Sequence, residues 1–243
     1  MLKTKKKPRG RKIRAHITEA SDFAVTEAYK MIRTNLIFSL NKKGCRKIIV
    51  TSGLPKEGKS TTCVNLAITL AQTDSRVLLI DCDLRKPIIH KILKLKSIPG
   101  ISDFLGGLCG LESCFRDTVY PNLEVICAGT APPNPGELLG GEGMEACLAG
   151  LEKEFDYILM DTPPVNMISD ALNLSKLCDG VVVVVKQGET LQPELSKTLS
   201  RLAFVEAKVL GLVLNGVERK GGYGYGKYGK KYKYGYEYSD ASS

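Results

Sequence analysis

The chain has 243 residues, 43% hydrophobic and 25% charged, a length and balance that suit one α/β domain and exclude a fibrous or wholly disordered protein. Its apolar runs, such as residues 181–185, fall far short of the roughly 20 residues that cross a bilayer, and no apolar signal core follows the N-terminus, so the expectation is a cytoplasmic protein. The net charge of +9 sits at the ends: residues 1–14 carry eight bases and no acid, and residues 219–243 carry six bases against Glu237 and Asp240, leaving a mildly acidic body.

In chain order, the basic arm (1–16) reads as a solvated extension or as a non-specific Coulombic contact to anionic lipid, nucleic acid or an acidic partner; no specific nucleic acid is implied. Residues 20–40 have the spacing of an amphipathic helix, with Phe23, Met31 or Ile32, Leu36 and Leu40 near helical intervals and Ser21 or Asp22 as its cap. From residue 47, β-branched runs alternate with helix-length crossovers: 47–52, 77–81, 123–129, 157–161, 180–186 and 208–215. Strands apolar on both faces and separated in this way predict an α/β fold with a mostly parallel sheet covered on both sides, extending over a single domain from 17 to 218. Ligands of such sheets bind beyond the carboxyl ends of the strands. Eight cysteines (Cys45, Cys63, Cys82, Cys109, Cys114, Cys127, Cys147 and Cys178) are scattered without a CxxC pair, which argues against a disulfide framework or a zinc site.

The sharpest motif is residues 53–60, GLPKEGKS, which fits G-x-x-x-x-G-K-[ST] and stands between a strand and a helix at 60–71. Glycines allow the N–H groups of the loop that runs through Gly53, Pro55, Glu57 and Gly58 to wrap phosphates, proline itself having no N–H to offer, and the helix N-terminus adds partial positive charge. This geometry assigns Lys59 to the β- and γ-phosphates of ATP, Ser60 to Mg²⁺ and Thr61 to the α-phosphate region. Two further strand ends supply acids. Asp161, in YILMDTPP, is the expected Walker B contact to Mg²⁺. Asp81 and Asp83, two apart in VLLIDCDLRKP, suit metal-bound water and acceptance of a proton from an incoming hydroxyl, with helix capping as the plainer role. Thr162, Pro163 and Pro164 form a rigid turn placed to sense a γ-phosphate. Asn215, at the end of the last strand, reads either as an adenine contact or as a turn residue.

Together with EAYKMIRTN (27–35), TSGLPKEGKSTTCVNLA (51–67), NPGELL (134–139) and a terminal tyrosine cluster, these motifs resemble the bacterial tyrosine kinase (BY-kinase) family, in its capsule-type, separate-chain (CpsD/CapB-like) branch. The resemblance spans about residues 17–238. It implies a P-loop kinase using ATP and Mg²⁺, with Asp81, Asp83 and Asp161 serving metal and tyrosine activation. It also implies assembly into a ring through an E-x-x-R-x-x-R helix, represented by Glu27, Lys30 and Arg33; the Arg-to-Lys departure at Lys30 loses bidentate pairing. Members of this branch are switched on by the cytoplasmic tail of a membrane adaptor, a co-polymerase-like activator that recruits them to the inner face of the membrane, and a cognate tyrosine phosphatase is implied. The alternative reading is a partitioning-type switch ATPase, but relatives that partition DNA carry lysine after the first loop glycine, and Leu54 at that place in this chain argues against it. A scaffold that binds nucleotide structurally is a further one, weakened by the intact lysine and acids.

The segment from 219 to 243 contains Tyr223, Tyr225, Tyr228, Tyr232, Tyr234, Tyr236 and Tyr238 among Gly and Lys, with no Leu, Ile, Val or Met to build a core. Flexible and basic, it is expected to enter a neighbour's active site as an autophosphorylation substrate and to change sign as phosphates accumulate. A tyrosine- and glycine-rich RNA-binding segment and an adhesive linker are the competing readings of this tail.

Overall fold

The computed structural model describes residues 16–18, 21–40 and 42–217. The predicted basic arm lies almost wholly outside these residues, and the tyrosine-rich tail entirely so.

The elements run α1 (Phe23–Ser39), β1 (Arg46–Ser52), α2 (Lys59–Ala71), β2 (Val77–Asp81), α3 (Ile89–Leu93), α4 (Ile101–Leu105), β3 (Phe115–Asp117), β4 (Leu123–Ile126), α5 (Pro135–Gly140), α6 (Glu142–Leu151), β5 (Tyr157–Asp161), α7 (Asp170–Ser175), β6 (Gly180–Lys186), α8 (Gln192–Phe204) and β7 (Val209–Asn215). One seven-stranded sheet has the order β3-β4-β2-β5-β1-β6-β7. All neighbouring pairs are parallel except β3 with β4.

The all-apolar strand runs have a direct structural meaning. Successive side chains point to opposite faces, so Ile48 and Val50 of β1 enter one core while Ile49 enters the other. One core packs α1 and α2 through Leu36, Leu66, Ile68 and Leu70 against Val77, Leu79 and Leu159. The opposite core packs α5, α6, α7 and α8 through Leu139, Leu148, Leu174 and Leu202 against Leu78, Ile80 and Met160. Adjacent residues within one strand thus serve two hydrophobic layers, as a doubly covered parallel sheet demands.

The predicted helix 20–40 appears as α1, three residues shorter at its start because Asp22 caps it, accepting from Ala24 N at 2.9 Å. The predicted strand 123–129 stops at Ile126. The short antiparallel β3 has no sequence signal, because three residues, Phe-Arg-Asp, are too few to show an alternation. Covering on both sides fails at β7, an edge strand whose Val209, Leu212 and Leu214 are exposed. Among the described residues no helix is long and apolar enough to cross a membrane.

Candidate active site

The carboxyl ends of β1, β2, β5 and β7 converge on one rim, and the sequence-selected residues meet there. Between β1 and α2, the loop turns with Lys56 at φ 68° and Gly58 at φ 95°. Gly58 also caps α2 without any side-chain hydrogen bond, so the N–H groups of the first helical turn face the rim and favour an anion. Two glycines are sterically required. A Cβ at Gly58 would fall 2.0 Å from Asn215 Nδ2, and one at Gly53 would fall 2.6 Å from the Thr198 hydroxyl.

The loop is braced before any ligand arrives. Glu57, 3% exposed, accepts from Leu54 N at 2.8 Å through Oε2 and from the Thr190 hydroxyl through Oε1. The Thr190 hydroxyl in turn accepts from Lys186 N at 2.8 Å. Asn215 Nδ2 donates to the Glu57 carbonyl at 2.9 Å. The side chains of Glu57 and Asn215, both read as nucleotide contacts, are therefore engaged with the loop itself, and Thr190, which lies in no motif, completes the brace. Pro55 is exposed on the loop.

Asp81 and Asp161 lie side by side at the ends of β2 and β5, and neither has exposed surface. Their environments differ. Asp81 accepts from Asp83 N at 3.2 Å, Ile88 N at 3.2 Å and Ile89 N at 3.1 Å, so both of its oxygens hold the turn that starts α3. Asp83 accepts from Lys86 N at 3.0 Å through Oδ1 and from Lys59 Nζ at 2.8 Å through Oδ2. Neither oxygen of Asp161 has a hydrogen-bond partner among the described residues; Lys59 Nζ lies 3.5 Å from its Oδ1 and 3.2 Å from the Ser60 hydroxyl. A fully buried carboxylate with no hydrogen bonds is costly. Beside a serine hydroxyl at a helix N-terminus, it has the hard oxygen donors and unshared valences that suit Mg²⁺.

The charges are strongly coupled. Burial raises the Asp81 carboxyl above the ordinary carboxylate range, and the neighbouring Asp161 raises it further. Burial likewise raises Asp161, with Lys59 acting in the opposite direction. Burial works against the Lys59 ammonium, but Asp161 and Asp83 outweigh it and hold its pKa above the usual lysine value. One cation thus stands among three acids at the place where phosphate would sit.

Other predicted residues fall as follows. Thr61 is partly exposed on the first turn of α2. Thr162 donates to the Val50 carbonyl at 3.4 Å, and Thr51 donates to that of Pro163 at 3.0 Å, pinning the turn after β5. On α1, remote from this rim in sequence, Lys30 pairs with Glu27 at 2.8 Å, while Arg33 donates to the Thr69 carbonyl of α2 at 2.7 Å. The seven tail tyrosines lie outside the described residues.

Arg85 lies in the VLLIDCDLRKP motif, next to the acids, and no local pattern assigns it a role. Its Nε donates to Asp170 Oδ2 at 2.9 Å and its Nη2 to Oδ1 at 3.4 Å. Asp170, 2% exposed, opens α7, and a Cβ on Gly136 of α5 would lie 2.7 Å from its Oδ1. The turn after β2 is thereby tied to α7, against which the NPGELL segment packs.

Residues 46–208 match a family model described as an AAA domain. The chain is 37% identical to Tyrosine-protein kinase YwqD of Bacillus subtilis over 211 residues, 85% of this chain and 87% of that one. It is 36% identical to Tyrosine-protein kinase CpsD of Streptococcus pneumoniae over 211 residues, 84% and 92% of the two chains. Among solved structures, the kinase domain of Escherichia coli tyrosine kinase ETK superposes with a TM-score of 0.77 at 30% identity, over 87% of this chain and 80% of that one.

Proposed function

The chain belongs to the bacterial tyrosine-protein kinases, and from that membership we propose that it transfers the γ-phosphate of ATP to tyrosine hydroxyls, first those of its own tail in a neighbouring subunit. The observation that carries the reading is the arrangement of Lys59, Asp83 and the hydrogen-bond-free Asp161 at the mouth of a braced phosphate loop.

On this reading the loop N–H groups and Lys59 bind the phosphates, Lys59 leaving its contact with Asp83 as the nucleotide enters. The Ser60 hydroxyl and Asp161, with Asp81 behind them, would hold Mg²⁺, which would supply charge neutralisation to the bound phosphates. Asp83, released by Lys59 and the least enclosed of the three acids at 4% exposure, accepts the tyrosine proton, while Asp81 holds the turn that carries Asp83 in place. Catalysis is then mostly positioning and charge stabilisation. Asn215 and Glu57 act on nucleotide through the loop they brace.

The basic tail is drawn to this acidic, phosphate-loaded rim, and each phosphate adds about −1.5 to −2 charge, so multiple phosphorylation repels what was attracted. Assembly into a ring through α1, activation by the cytoplasmic tail of a membrane adaptor in capsule or exopolysaccharide synthesis, recruitment to the membrane through that adaptor, and reversal by a tyrosine phosphatase complete the proposal.

The test is phosphopeptide mass spectrometry after incubation with MgATP and the adaptor's cytoplasmic fragment, comparing wild type with Asp161→Asn and Lys59→Met. Phosphate on Tyr223 to Tyr238 in the wild type alone is the expected result. ATP turnover with unmodified tyrosines would overturn it in favour of a switch ATPase.

A further inference from the structure

We propose that Cys109 and Cys114 form a reversible intrachain disulfide under peroxide, making the turn between α4 and β3 a redox modification site independent of the phosphoryl-transfer chemistry. Their sulfurs lie 3.6 Å apart, in van der Waals contact, and theirs is the only such thiol pair given by the hydrogen-bond geometry of the described residues. Closing the S–S bond asks the two sulfurs to approach by less than the width of one atom.

The two thiols have complementary settings. Cys109 is partly exposed and Cys114 is buried. An entering oxidant therefore meets Cys109 first, and Cys114 waits behind it as the resolving thiol. Cys114 is aimed by its contacts: its Sγ lies 3.2 Å from the Gly100 carbonyl and 3.8 Å from that of Gly110. Burial pushes the Cys114 thiol up, and the adjacent Cys109 pushes in the same direction, so Cys114 is the poorer direct target for oxidant.

Cys109 sits just after Gly106 and Gly107, the latter at φ 71°, and is followed by Gly110. A Cβ on Gly107 would meet nothing within 4 Å. Among the described residues no other two thiols share a hydrogen-bond contact, and Cys45, Cys63, Cys82, Cys127 and Cys147 are buried, where a free thiol packs as a small hydrophobe.

The step balances with hydrogen peroxide as the oxidant. The Cys109 sulfur attacks one peroxide oxygen, forming an S–O bond as the O–O bond breaks and water leaves. The Cys114 sulfur then displaces the hydroxyl from Cys109, forming S–S as the S–O bond breaks, and a second water leaves. Two thiols lose two electrons and two protons; the peroxide is reduced to two waters. A dithiol reductant reverses the bond by exchange.

The test treats the full chain with hydrogen peroxide, then blocks thiols with N-ethylmaleimide in denaturant and digests with trypsin. Residues 97–116 leave as one peptide holding both cysteines. The expected product is this peptide without maleimide and lighter by two hydrogen atoms, restored to the doubly labelled form by dithiothreitol, while peptides of the other six cysteines stay labelled. Cys109→Ser, a change at a partly exposed position, should leave Cys114 labelled under the same treatment. Retention of both maleimides on 97–116, over-oxidation of Cys109 to the sulfinic acid, or a disulfide joining two chains would each overturn the proposal.

Discussion

Asp81, Asp83 and Asp161 have the same chemistry and three different situations, and the difference lies in what else each carboxylate is asked to do. Asp81 gives its oxygens to three backbone N–H groups, Asp83 shares a lysine, and Asp161 has no hydrogen bond. Lys59 is the counterion for the group as well as the proposed phosphate ligand, so removing it leaves buried negative charge uncompensated, a loss of up to about 3–5 kcal/mol. Lys59→Met should therefore be destabilised more at pH 8 than at pH 5, where the raised acids take up protons; equal melting shifts at the two pH values would contradict this. Asp161→Asn, which keeps the shape without the charge, should abolish Mg²⁺-dependent nucleotide affinity measured by calorimetry while leaving the ligand-free fold intact. Asp83→Asn should retain MgATP binding and lose on the order of 10²–10⁴-fold in phosphotransfer, the usual contribution of a general base. The wild-type chain also has a sign-determined pH profile. Asp81 is raised from 3.8 to about 8, so the folded state holds a proton that the unfolded state has released within that window. The stabilising contribution of Asp81 without ligand is therefore full at the acid end and is lost as pH rises toward 8. Thermal unfolding across that range checks it, and a profile rising with pH would refute the assignment.

At the scale of elements, the site is a loop held by its neighbours. The segment from β6 to α8 reaches the phosphate loop through one hydroxyl, Thr190, placed between Lys186 N and Glu57. Thr190→Val keeps the volume and removes both bonds, leaving a buried acceptor on Glu57 at a cost of about 1–3 kcal/mol. A raised KM for ATP with kcat little changed is the expected kinetic outcome, since the loop binds ground state and transition state alike. Arg85 similarly ties the turn after β2 to α7. Arg85→Lys removes the fork that meets both oxygens of Asp170 and should lower kcat at saturating MgATP, because it loosens the turn carrying Asp83. These two side chains mark where sequence legibility ends. The phosphate loop, the acid strand ends and six of the seven strands were readable because backbone chemistry imposes glycines, a helix start and doubly apolar runs at short range. Thr190 and the Arg85–Asp170 pair join residues 133 and 85 apart, and no local pattern encodes such a contact. The dual use of Asp81 was readable only as two alternatives, helix cap or metal neighbour. Burial on both faces was likewise assumed for every strand, whereas β7 sits at an edge that its own apolar pattern does not announce.

Across the whole molecule, charge is divided between a mildly acidic domain and basic ends. The last strand, β7, ends at Asn215, in hydrogen-bond contact with the phosphate loop. Glu27 and Lys30 pair on the surface of α1, leaving Arg33 to anchor that helix on α2; the helix proposed for assembly is thus fastened directly to the helix that follows the phosphate loop. Arg33→Ala should loosen α1 from α2, and Glu27→Lys should place like charges on one face with Lys30; both should shift a ring toward smaller species while Lys59, Ser60 and Asp161 keep their geometry. If the tail holds the assembly by charge, the unmodified protein in MgADP should sediment as the larger species. The form phosphorylated across Tyr223 to Tyr238 should sediment as a smaller one, with the difference shrinking as salt screens the attraction at a Debye length of about 10 Å in 0.1 M salt. Analytical ultracentrifugation of both forms at low and high ionic strength measures this directly. A mass unchanged by full phosphorylation at low salt would show that the tail's charge plays no part in assembly, leaving the contacts of α1 to account for it.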